Sequence, residues 1–113
     1  MPPLTKMHFA DVLVVPLQEA LHDTAAEEIT EEIISEAERK NARGVVIDIS
    51  ALDVVDSFLG RLLQETVRAL AAMGKKVVLV GIQPGVAITL VELGLPLDGI
   101  ETAFNLESAL KKL

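Results

Sequence analysis

Cysteine is absent, as are tryptophan and tyrosine, and the 3% of aromatic residues is all phenylalanine. No disulfide, thiolate metal site or cysteine nucleophile is therefore available. There is also no aromatic platform on which bases could stack. Positive charge is scarce: 10 Lys and Arg stand against 17 Asp and Glu, a formal net charge of −7. The bases are scattered, with adjacent pairs only at Arg39-Lys40, Lys75-Lys76 and Lys111-Lys112. A surface that displaces counterions from phosphates needs clustered Lys and Arg, so neither nucleic acid nor anionic membrane is expected as a partner. Long apolar runs are missing too. The most apolar stretch, 77–91, is too short for a membrane span and is broken by Gln83-Pro84-Gly85. Met1-Pro2-Pro3-Leu4-Thr5-Lys6 lacks the basic region and apolar core of a secretory signal, so a cytoplasmic location is expected.

What is present suits a globular fold. The chain has 113 residues, half of them apolar and 24% charged. That length is expected to form one domain over 1–113 with a core of its own. Short β-rich runs alternate with helical patterns. Thr5 to Phe9 and Val12 to Val15 read as a hairpin across Ala10-Asp11, a poor turn pair without glycine. Thr24 and Glu27 have capping-box spacing, and Ala26, Ile29, Ile33 and Ala37 then form one apolar helix face. Glu27, Glu28, Glu31, Glu32, Glu36 and Glu38 are expected to cover the solvent side, and Gly44 to stop the helix. Gly44 to Ile49 reads as a buried strand without alternation. A second helix carries Leu59, Leu62, Leu63, Thr66, Leu70 and Met73, and ends at Gly74. Lys76 to Val80 is another buried strand. Pro84 opens a short helix that Gly94 stops. Ile100 to Thr102 is an edge strand, and Asn105 caps a last helix over Leu106 to Lys112. The expected class is α/β, with a mixed, mostly parallel sheet, an N-terminal hairpin and about four helices.

Chemistry-bearing patterns are few. His8 and His22 are isolated and have no partner at metal-ligand spacing. Gly81-Ile82-Gln83-Pro84-Gly85 follows a strand and opens a helix, but lacks the third glycine, the lysine and the hydroxyl residue of phosphate loops. Asp53 and Asp56, in the loop 50–56, are either solvated acids or a candidate acid/base or cation-binding pair. Ser57 opens the second helix from that acidic loop. It reads either as an ordinary N-cap or as a phosphorylation site, where a phosphoryl group would add about −1.5 to −2 charge. The helix 84–93 is apolar nearly all round, so it is either covered or exposes a patch for a partner.

The stretch 45–58, Val-Val-Ile-Asp-Ile-Ser-Ala-Leu-Asp-Val-Val-Asp-Ser-Phe, resembles the signature of STAS domains, the anti-sigma-factor antagonist fold. There a strand ends in Asp, a loop follows, and Asp-Ser or Asp-Thr opens a helix. The stretch 81–94 resembles a narrower group, the STAS proteins of the stressosome. Asp56-Ser57-Phe58 resembles the small single-domain scaffold of that complex. Simple antagonists usually carry Asp-Ser-Ser-Gly or Asp-Ser-Thr-Gly at this place. The departure here, Asp56-Ser57-Phe58-Leu59-Gly60, favours the scaffold.

The resemblance implies a non-catalytic protein without cofactor or metal. Ser57 would accept phosphate from a dedicated serine kinase, and a phosphatase would reverse the step. Asp56 would shape the loop, and Asp53, Asp56 and Phe58 would meet the partner. Thr89 matches a second phosphorylated position of larger, sensor-bearing paralogues. With those paralogues the chain would form a homo- or hetero-assembly. Unmodified it would hold the kinase; phosphorylated it would release it. Two alternatives stand beside this: a simple antagonist that binds an anti-sigma kinase, and a small ligand-binding or enzymatic α/β domain using Asp53 and Asp56.

Overall fold

The computed structural model describes residues 6–18, 23–94 and 100–113, with the side chains of 9 and 23–25 outside that description. Thr5, His22 and the capping side chain of Thr24 thus lie outside the described residues. The elements are β1 (Met7–Phe9), β2 (Val12–Pro16), α1 (Asp23–Arg39), β3 (Gly44–Asp48), α2 (Ser57–Ala72), β4 (Lys76–Val80), α3 (Pro84–Glu92), β5 (Glu101–Ala103) and α4 (Leu106–Lys111). The sheet order is β1-β2-β3-β4-β5. β1 pairs antiparallel with β2, and every later pairing is parallel. Short loops and crossover helices dictate this, since a parallel return needs a dozen or more residues.

The missing alternation of the central strands has a direct cause: both faces of the sheet are covered. Leu13, Val15, Val45, Ile47, Val77 and Leu79 pack with Ile29 and Ile33 of α1, Leu63, Val67 and Leu70 of α2, and Val86 and Leu90 of α3. Val12, Val14, Val46, Val78 and Val80 point the other way, onto Ala109, Leu106 and Leu110 of α4. Truncating a fully buried side chain such as Ile47 or Leu70 would cost about 2–5 kcal/mol.

The hairpin forms despite its turn pair. Ala10 takes φ 56, a left-handed conformation that normally favours glycine. Arg43 offsets this from the entrance to β3. Its backbone N–H donates to the Asp11 carbonyl at 2.9 Å. Its Nε donates to Asp11 Oδ1 at 2.7 Å.

Four expectations need correction. Glu36 is not on the solvent side: it is 1% exposed, beneath the outer edge of the hairpin. Its Oε2 meets His8 Nε2 at 3.1 Å, and its Oε1 faces Lys6 Nζ at 3.2 Å and the Arg39 guanidinium. Two cations, Lys6 and Arg39, and a hydrogen bond with the His8 ring make this burial tolerable. Gly44 does not stop α1. Asn41, at φ 50, takes the left-handed position after the helix, while Gly44 begins β3. A Cβ on Gly44 would sit 2.9 Å from Leu113 Cδ2, so its smallness admits the C-terminal residue. Met73 is exposed, and Val67 takes the core position instead. β5 runs one residue later than expected, because Ile100 packs against the core and Ala103 accepts a bond from Gly81 N–H at 3.2 Å. The remaining helix signals act as read: Gly74 and Gly94 take positive φ, Pro84 opens α3, and Asn105 Oδ1 accepts from Ser108 N–H at 2.9 Å.

Candidate functional site

β3 and β4 end at the same side of the sheet, and their loops lie against each other. Past Asp48 the chain stays tied to the sheet, with Ile49 N–H donating to the Val80 carbonyl at 2.9 Å. Asp48 Oδ1 then accepts from Ser50 N–H at 2.9 Å and turns the chain outward. Leu52 and Val55 are buried and pin the loop at two points. Between and after these anchors Asp53, Val54 and Asp56 project into solvent.

The β4–α3 loop clasps this segment. Gly81, at φ +76, passes so close that a Cβ would lie 2.5 Å from Ser50 Cβ and 3.0 Å from Ser50 Cα. Gln83 Nε2 donates to the Ser50 carbonyl at 2.7 Å. A Cβ on Gly85 would be 3.7 Å from the Asp53 carbonyl oxygen, so the two loops also touch further out.

The start of α2 decides the capping reading of Ser57. Asp56 is the N-cap: its backbone is extended, at φ −84 and ψ 177, and its Oδ1 accepts from Leu59 N–H at 2.8 Å. Such a cap contributes about 1 kcal/mol. Ser57 is therefore not the cap but the first helical residue, and it is exposed. Its hydroxyl takes no part in the cap. Ser57, Phe58, Arg61, Leu62 and Glu65 line a shallow recess of about 340 Å³ along the first turns of α2.

Thr89 sits differently. It is half-buried on α3, and its Oγ1 donates to the Gly85 carbonyl at 3.0 Å. The structure thus brings Asp53, Asp56, Ser57 and Phe58 together and places Thr89 on the neighbouring helix. α3 is not covered: Ile88 is 59% and Val91 67% exposed. Asp53 and Asp56 gain no further ligand, since no group of three or more His, Cys, Asp or Glu is placed to hold a metal among the described residues. Among those residues, too, no helix is long and apolar enough to cross a membrane.

Three features escaped the sequence reading. Phe104 is 89% exposed beside a recess of about 550 Å³, lined with it by Gly81, Ile82, Gln83, Pro84, Thr102 and Ala103. Gln83 clasps the loop before Ser57 from the β4–α3 loop, about 33 residues on in the chain, which no local pattern shows. Arg61 shares a recess with Ser57, and its spacing of four residues was a usable signal.

The STAS domain family model matches residues 5–109. The chain belongs to the STAS domain family. Among the described residues, five strands and four helices build its single α/β fold. It is similar to a serine-to-glutamate variant of RsbS from Moorella thermoacetica, at 44% identity and TM-score 0.86, covering 95% of this chain and 93% of that one. A chain from a structure of the stressosome, described as a signal integration and transduction hub, matches equally, at 44% identity and TM-score 0.86, over 96% and 94% of the two chains. The RsbT co-antagonist protein RsbRA of Bacillus subtilis (strain 168) is 28% identical over 103 residues, 91% of this chain. The chain spans only 38% of the length of RsbRA.

Proposed function

We propose that this STAS domain is a non-catalytic regulatory scaffold of a bacterial stressosome. In this reading it holds a serine kinase while Ser57 is unmodified and releases it once Ser57 is phosphorylated. The observation that carries the proposal is the division of labour at the α2 start. Asp56 caps the helix, which leaves the neighbouring Ser57 hydroxyl exposed and uncommitted. The 44% identity to RsbS and to a stressosome chain supports the assembly, with RsbR-type paralogues as co-assembly partners. The relatives are named RsbT co-antagonists, which makes RsbT the first candidate for that kinase.

The chemistry needs no catalytic group here. The kinase transfers the γ-phosphoryl of ATP to Ser57 Oγ; the new O–P bond replaces the β–γ bridge bond, ADP leaves, and the hydroxyl proton goes to the kinase's base. The loop already holds Asp53 and Asp56, so the product concentrates negative charge on the face that meets the partner. Like charges brought together at an interface cost several kcal/mol to order of magnitude, and about 1.4 kcal/mol is already tenfold in affinity. Asp53, Asp56 and Phe58 belong to this partner face. Thr89 is the lesser acceptor, because its hydroxyl is half-buried and bonded to Gly85. A phosphatase resets the switch.

Retention on immobilised protein tests the reading. Ser57→Asp should weaken RsbT capture by about tenfold or more, while Ser57→Ala retains it. Equal capture by the two variants would overturn the proposal. Capture of an anti-sigma kinase instead of RsbT would make the chain a simple antagonist.

A further inference from the structure

Among the side chains lining the Ser57 recess, Arg61 is the one cation. It is exposed, and among the described residues it has no carboxylate within ion-pair distance. Glu65, one turn further on, lines the same recess without pairing with it. From these facts we infer that Arg61 is the intramolecular partner of phosphoserine at position 57, tying the new phosphate down along α2. This rests on the proposed modification of Ser57 and deepens it.

The geometry is that of an i, i+4 pair, whose Cβ atoms lie about 5–6 Å apart on one helix face. An acid placed four residues before a base is the favourable order, because both charges then suit the helix dipole. Glu65 stands in the reverse order to Arg61, which accords with their lack of contact. Phosphate also carries about −1.5 to −2 charge against −1 for a carboxylate, and it matches the guanidinium fork with two oxygens. Phosphoserine therefore outcompetes Glu65 for Arg61. The paired phosphate lies over the recess between Phe58 and Leu62, so the modified domain changes the shape as well as the charge of that face.

The test installs phosphoserine at position 57 by genetic encoding, so it needs no kinase and is independent of whether RsbT modifies this chain. Phosphorus NMR follows the second ionisation of the phosphate in the otherwise wild-type chain and in Arg61→Gln, Arg61→Lys and Arg68→Gln. The expected result is a second acid dissociation constant about twofold larger with Arg61 than with Arg61→Gln, the size of an exposed pair one turn apart. Arg61→Lys should restore part of the difference, Arg68→Gln should leave it unchanged, and about 1 M salt should erase it. Identical titrations of wild type and Arg61→Gln at low salt would overturn the inference. So would an equal effect from Arg68→Gln, which would make it a property of net charge alone.

Discussion

α2 and α3 leave the same end of the sheet, one strand apart, and begin in opposite ways. α2 starts with an aspartate whose carboxylate bonds the third residue on, and then presents a hydroxyl and an arginine that have no side-chain partner among the described residues. α3 starts with Gln83, which makes no side-chain cap, and with Pro84, which has no N–H to satisfy. Gln83 instead spends its amide on the neighbouring loop, and the exposed side of α3 is apolar at Ile88 and Val91. The difference teaches how one end of a small domain divides its tasks. A phosphate at the polar start, as proposed, would leave the helix cap in place, because Asp56 and not Ser57 holds it. The apolar neighbour carries its exposed surface on Ile88 and Val91 and takes no part in that cap.

Substitutions that blur this contrast should rank in a definite order by denaturant unfolding. Gly81→Ala acts on the clasp between the two starts and should be the most costly, about 2–3 kcal/mol, because the Cβ meets Ser50 backbone at a left-handed φ. A loss below about 0.5 kcal/mol would show that the loops separate freely. Asp56→Ala should cost about 1 kcal/mol by removing the α2 cap, whereas Ser57→Ala should be nearly neutral. Reversal of that pair would return the capping role to Ser57. Ile88→Ser and Val91→Ser should change stability by no more than about 0.5 kcal/mol, since both side chains already face solvent. A larger loss would mean that the exposed face of α3 is part of the folded core.

Much of this was legible before any coordinates. Continuous apolar strands, Pro84, Asn105, Gly74 and Gly94 are local signals, and local signals fix element type and boundary. At the candidate site, the loop 50–56 and the start of α2 at Ser57 were legible as positions. Which of Asp56 and Ser57 caps α2 was not, because both residues are competent caps and only the backbone angles decide. Glu36 was misplaced for a different reason. Helical periodicity sees only α1, while two of the side chains that admit its carboxylate, Lys6 and His8, lie about 30 residues earlier in the chain. The Gly81–Ser50 contact and the Gln83 bond are equally non-local. Gly44 shows the converse error: a glycine near a helix end suggests a stop, yet here its missing Cβ serves the packing of Leu113.

The most direct measurement of the proposed switch is site mapping by mass spectrometry after incubation with RsbT and ATP. The expected result is one dominant phosphate on Ser57, lost in Ser57→Ala and kept in Thr89→Ala. Undiminished phosphate incorporation by the Ser57→Ala chain would contradict the account.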